Sequence, residues 1–182
     1  MTAWPTELPP LLAQLHQLDF YEVVDDEDEA YDDEAMGMDF EPYQAFFPAE
    51  ENADWFRAWT GNPDVDGAQF RVFGQDGSGG YAALWLAQPG QPLAEQPVVF
   101  LGSEGEVGVI ALNLKEYLWL LAAGVGPHEA VEGPDMPPRP QAQFAEFAQQ
   151  HGHTPPLSAP QVLARAQAAY PSFEADILAL CR

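Results

Sequence analysis

The sequence predicts an α+β fold, a central and mostly antiparallel sheet of about four to six strands flanked by helices from both ends of the chain. Three observations carry this. Short segments rich in β-branched and aromatic residues crowd the middle: "QFRVF" (69–73), "GYAALWLA" (80–87), "QPVVFLG" (96–102) and "EVGVIAL" (106–112). The turns that separate or bound them, "GQDGSGG", "QPGQPLAEQP" and "GSEGE", are too short for crossover helices, so neighbouring strands form an antiparallel meander. Helical patterns lie on both sides of this block.

Taken in order, Leu8, Leu11, Leu12, Leu15 and Leu18 predict a helix over 8–18, with Pro9 and Pro10 tolerated only in its first turn. "FYEVV" (20–24) is β-prone and leads into "VVDDEDEAYDDEAMG" (23–37). Within "PYQAFFPAEENADWFRAWTGN", Pro48 breaks or restarts a helix. Its better half is Ala49 to Thr60, with Trp55, Phe56 and Trp59 on its apolar side and Gly61 or Asn62 as a left-handed cap. In the second strand Tyr81, Ala83, Trp85 and Ala87 alternate with Ala82, Leu84 and Leu86. Both faces are apolar, which predicts a sheet covered by helices on each side.

The clearest helix follows the sheet. Asn113 caps it, Glu116 can bond back to the cap, and Gly124 stops it; Leu114, Tyr117, Leu118, Leu121 and Ala122 form its stripe. "GPDMPPRP" (133–140) reads as a stiff connector. Three short helices come last, Gln141 to Gln150, Ser158 to Tyr170 and Ser172 to Leu180, and Ser158 with Gln161 makes a second capping box.

The formal net charge is −23, and it is uneven: sixteen acids and no Lys or Arg precede Arg57. A nucleic acid or an anionic membrane needs a basic footprint, so neither is expected as a partner; a basic protein is. No apolar run approaches the roughly 20 residues that span a bilayer. The N-terminus lacks an export pattern, and the one cysteine, Cys181, permits no internal disulfide, so the cytoplasm is the expected compartment.

Catalytic and metal patterns are weak. "FGQDGSGGY" (73–81) has neither the Lys nor the following helix of a phosphate loop and reads as a hairpin turn. His151 with His153, and Asp64 with Asp66, lack the further ligands a zinc or calcium site requires. Ser78 and Ser103 lie in turns without a strand-turn-helix elbow, and Cys181 has no basic neighbour except Arg182. The expectation is a protein without catalytic residues, cofactor or metal. The five tryptophans read chiefly as core, although Trp55 or Trp59, if exposed, could anchor a partner.

"DWFRAWTGN", "FRVFGQDGSGGYAALWL" and "QPVVFLGSEGEVGVIALNLKEYLWLLAAGVGP" together resemble the SUKH superfamily of SMI/KNR-type immunity proteins. Its G-x-D-G-[ST]-G-G turn, P-V-V-F-L-G-S-E-G stretch and N-L-x-[DE]-[FY]-L-x-L-L-A-x-G helix stand here in order across roughly 54–127. At 182 residues the chain is expected to be one SUKH-like domain spanning 1–182, made of an acidic N-terminal region (19–54), this best-matching core and a C-terminal helical extension (141–181). The resemblance implies a binding protein that neutralises a toxin, often a nuclease, by occlusion, or else a regulatory adaptor for an endogenous basic protein. Oligomeric state is left open. Eight carboxylates fall between Asp25 and Glu34. The expected partner surface is Asp25, Asp26, Glu27, Asp28, Glu29, Tyr31, Asp32, Asp33 and Glu34, joined by Glu50, Glu51 and Asp54, because carboxylates complement the basic cleft of a nuclease.

Overall fold

A computed structural model describes residues 4–21, 38–133 and 138–182. Five antiparallel strands lie side by side in chain order: β1 (Glu41–Pro42), β2 (Phe70–Gln75), β3 (Tyr81–Trp85), β4 (Val98–Leu101) and β5 (Val107–Ala111). The expected meander is present: β3, β4 and β5 are trimmed at both ends, while β2 starts one residue late and runs on through Gly74 and Gln75. β1 is an addition. Its two residues pair with Gln75 and Gly74, and Pro42 is tolerated because this is an edge.

The alternation of β3 divides the core as the sequence predicts. Ala82 and Leu84, with Val98, Phe100 and Ile110, face a cluster that holds Leu12, Leu15, Phe40, Tyr117, Leu121 and Phe144. Ala83, with Phe70, Val72, Val99 and Leu101, faces a second cluster around Phe56, Phe173 and Ile177, against which Tyr81 and Trp85 pack. Each fully buried Leu or Phe adds roughly 1.5–3 kcal/mol of hydrophobic stabilisation.

The helices supply these faces. α1 is Pro10–Leu15, shorter than expected, because the N–H groups of Gln17 and Leu18 turn to carbonyls three residues back. Neither Phe20 nor Tyr21 is in a strand; the remainder of "FYEVV" lies outside the described residues. α2 is Ala49–Thr60, bracketed by Pro48 and by Gly61 at φ 62°, the left-handed cap expected. α3 is Leu114–Ala122, and Asn113 Oδ1 accepts from the Glu116 N–H at 3.0 Å. Its C-terminus closes as expected at Gly124 (φ 74°): Val125 N–H bonds Leu120 and Gly124 N–H bonds Leu121.

α4 (Pro127–Glu132) is an addition, opened by a proline at its first position. α5 (Ala142–His151), α6 (Ala159–Ala169) and α7 (Phe173–Leu178) match the three helices expected, and the Ser158–Gln161 capping box is complete. The Glu116 side chain does not return to its cap. It is buried and accepts from Arg165 of α6 at 2.8 and 3.1 Å, a charged partner 49 residues away. α6 joins both clusters, Val162 in the first and Ala166 in the second.

Candidate protein-binding groove

α2 enters the fold beside the second face of the sheet, and its approach is fixed from behind. Phe47 N–H bonds Val72, Tyr43 N–H bonds Phe73, and the Trp4 indole donates to the Phe47 carbonyl at 2.8 Å. Trp4 is in turn covered by Arg71, whose guanidinium carbon sits 3.5 Å from the ring centroid. That guanidinium also donates to the Ala68 and Phe70 carbonyls, so it is locked away from the groove. The first turn of α2 carries Glu50 and Glu51, where the helix dipole favours carboxylates.

Helical spacing then puts Asp54 and Trp55 three and four residues beyond Glu51, on the same side. The result is an open groove of about 490 Å³. Half-buried Phe47, Trp55 and Tyr81 form its floor, and exposed Glu50, Glu51 and Asp54 form its rim. The rings brace one another edge to face, Phe47 on Tyr81 at 5.3 Å and Trp55 on Tyr81 at 5.1 Å, with Tyr43 stacked on Phe47 at 5.4 Å.

The electrostatics of this floor are negative. Burial raises the phenol pKa of Tyr81, and the Glu51 carboxylate raises it further. Burial likewise raises Tyr43, followed by Tyr81, Glu41 and Glu51. Both phenols therefore stay protonated and remain hydrogen-bond donors. Among the described residues Asp54 is the one rim acid with a cation beside it, Arg57 at 3.5 Å, an exposed pair of little energetic weight. A rigid aromatic floor under a carboxylate rim suits a basic group, which gains from the π-faces and from the charges together.

No family model, curated protein or solved structure matches this chain.

The twelve residues expected to bind a partner divide sharply. Glu50, Glu51 and Asp54 converge on the groove. Asp25, Asp26, Glu27, Asp28, Glu29, Tyr31, Asp32, Asp33 and Glu34 lie outside the described residues. The chain around that run is described: Phe20 carbonyl accepts from Met38 N–H at 2.8 Å, and Asp39 and Glu41 both raise the pKa of Tyr21, after its partial burial. Glu41 acts on Tyr21 and on Tyr43, so the described acids run from Asp39 through Glu41 towards Glu51.

Phe47 and Tyr81 as floor residues, and Tyr43 as the ring stacked on Phe47, escaped the sequence reading. A signal existed for two of them: Phe47 precedes the helix-starting Pro48, and Tyr81 shares the strand face of Ala83 and Trp85. Trp59 serves the core side, stacked on Phe56 and donating to Gly102 at 2.7 Å.

The other candidates, the exposed free thiol of Cys181 aside, are engaged in structure. Asp76 has a fully buried side chain that organises the glycine-rich turn: Oδ1 accepts from Gly80 N–H, Ser78 N–H and the Ser78 hydroxyl, and Oδ2 meets His128 Nδ1 at 3.0 Å. Ser103 donates to Ser78, so both hydroxyls belong to turns. Asp66 caps Ala68 N–H, Asp64 pairs with Arg182 at 2.7 Å, and His153 Nδ1 contacts the Pro155 carbonyl. Among the described residues no three His, Cys, Asp or Glu side chains converge as a metal ion would require, and no helix is long and apolar enough to cross a membrane.

Proposed function

We propose that this protein is a binding protein of SUKH kind, without catalysis of its own, that captures a basic partner domain through the groove at the start of α2. The observation that carries this is the aromatic floor of Phe47, Trp55 and Tyr81 under the rim of Glu50, Glu51 and Asp54. The most fitting partner is a toxin domain that acts on nucleic acid, because such a domain presents a basic cleft for phosphates. An acidic binder speeds encounter with that cleft and blocks it without cutting anything. The buried hub at Asp76 supports the SUKH resemblance, since it explains why its glycine-rich motif needs an Asp at that place: three donors of one turn converge on a single oxygen.

The test is affinity capture at low and moderate salt, with the bound protein identified by mass spectrometry and then purified for titration. Wild type is compared with Trp55→Ala, with Glu50→Gln/Glu51→Gln/Asp54→Asn, and with a variant neutralised from Asp25 to Glu34. The expected result is a basic nucleic-acid-cleaving domain whose affinity falls by roughly thirtyfold or more with Trp55→Ala, as for an aromatic anchor worth about 2 kcal/mol. The same affinity in wild type and both groove variants overturns the groove as the docking site.

A further inference from the structure

The two edges of the sheet are treated differently. β1 is two residues long and ends in Pro42, a blunted edge. β5 runs for five residues at the opposite edge and, among the described residues, pairs only with β4. Along its first half lies a second cavity, of about 270 Å³, between the end of α4 and the corner that joins α6 to α7.

Its backbone is oriented for pairing. Gly102 N–H bonds the Glu106 carbonyl, and the register runs on as Leu101 opposite Val107, Phe100 opposite Gly108 and Val99 opposite Val109. Antiparallel pairs alternate between bonded and unbonded, so Glu106 and Gly108 turn their N–H and C=O groups to β4. Val107 and Val109 turn theirs outward, into the cavity. Among the described residues no other hydrogen bond reaches them.

The walls stand on opposite faces of the sheet. Val131 of α4 packs over Gly108 on one side, and Phe173 of α7 packs on the other. Exposed Glu132 belongs to the first wall and exposed Glu174 to the second, and among the described residues no Lys or Arg lines the cavity.

We infer that the outer edge of β5 is a strand-addition site for an extended segment of a partner protein that carries two consecutive basic residues. Pairing with Val107 and Val109 takes a stretch of about three residues. Successive side chains of an added strand point to opposite faces, so adjacent Lys or Arg residues reach Glu132 and Glu174 in turn. Main-chain bonds supply the affinity and the two carboxylates supply the preference for a basic pair. This site is separate from the groove and does not depend on it.

The probe is a capped hexapeptide, TVKRVT, titrated into the full chain with backbone amide exchange as the readout. Two controls accompany it: the neutral TVQQVT, and TVKRVT with alternate amides N-methylated, which keeps the charge and removes the strand bonds. The expected result is saturable binding that slows exchange at Val107 and Val109, weakens with salt, and falls at least tenfold with either control. Val109→Pro removes an outward N–H at an edge position and is expected to abolish binding. An N-methylated peptide that binds within threefold of its parent overturns strand addition, as does a parent peptide that leaves Val107 and Val109 unprotected at millimolar concentration. The peptide arms need no variant, so they decide the matter even if Val109→Pro does not fold.

Discussion

Arg165 of α6 places Nη2 and Nε at 2.8 and 3.1 Å from Oε1 of Glu116, a carboxylate in the first turn of α3 with 1% of its side chain exposed. Its other oxygen has no hydrogen-bond partner among the described residues. Removing the cation strands a buried charge, whereas removing both groups leaves only packing to repair. Arg165→Met is therefore expected to be less stable than the double variant Glu116→Leu/Arg165→Met. Urea midpoints at neutral pH give the order, and a double variant no better than the single would contradict it.

His16 sets a pH dependence. It is 4% exposed, packed among Phe20, Phe40 and Phe73, and its Nδ1 donates to the Tyr43 carbonyl at 2.6 Å. Burial lowers its pKa from 6.5 to about 4, against a smaller opposing effect of that bond. The fold holds the ring neutral, so this stabilisation is fully present above pH 6.5 and is lost as pH falls towards 4. The loss is on the order of 3 kcal/mol. The stability gap between wild type and His16→Gln should shrink by that amount between pH 7 and 4. Comparing the two chains cancels the titration of the many shared carboxylates, and a constant gap would mean that His16 is not the sensor.

Asp76 should tolerate amide but not methyl. Asp76→Ala orphans the buried Gly80 N–H, at a cost of about 1–3 kcal/mol, and releases the Ser78 N–H and hydroxyl, which water can reach because Ser78 is exposed. It also releases His128, which is stacked on Phe100 at 5.7 Å and ties α4 to the turn. Asp76→Asn retains an acceptor for the turn and should lose less. Thermal melts rank the three chains; equal losses for Ala and Asn would mean that charge, not acceptor geometry, organises the turn.

Core packing gives a fourth expectation. Leu121 is fully buried on α3, and Leu121→Ala should cost about 2–5 kcal/mol through lost transfer energy and the cavity left behind. Exposed Leu178→Ala on α7 should stay within about 0.5 kcal/mol. Denaturant titrations of both distinguish a close-packed face from a loosely covered one.

What was legible in the sequence was local. α2 could be bounded because Pro48 and Gly61 punctuate it, and β3 could be assigned to two faces because its alternation is uninterrupted. β1 was not legible: two residues have no periodicity, and Pro42 argues against a strand unless the edge is known. α4 was hidden because its six residues between the Gly124 stop and the 133–140 connector are too few to show a helical period, although proline suits a first helical turn. Glu116 was misread for a related reason. Its nearest polar group in sequence is the cap, but the tertiary fold offers a cation instead. The groove was half legible, its rim in the composition of α2, its floor only once the meander carried Tyr81 beside Trp55.

One turn of α6 separates Val162, packed in one hydrophobic cluster, from Ala166, packed in the other on the far face of the sheet. A helix cannot melt on one side of a turn and persist on the other without losing the bonds that join them. The two cores are therefore mechanically coupled, and heat should unfold them together in a single calorimetric transition.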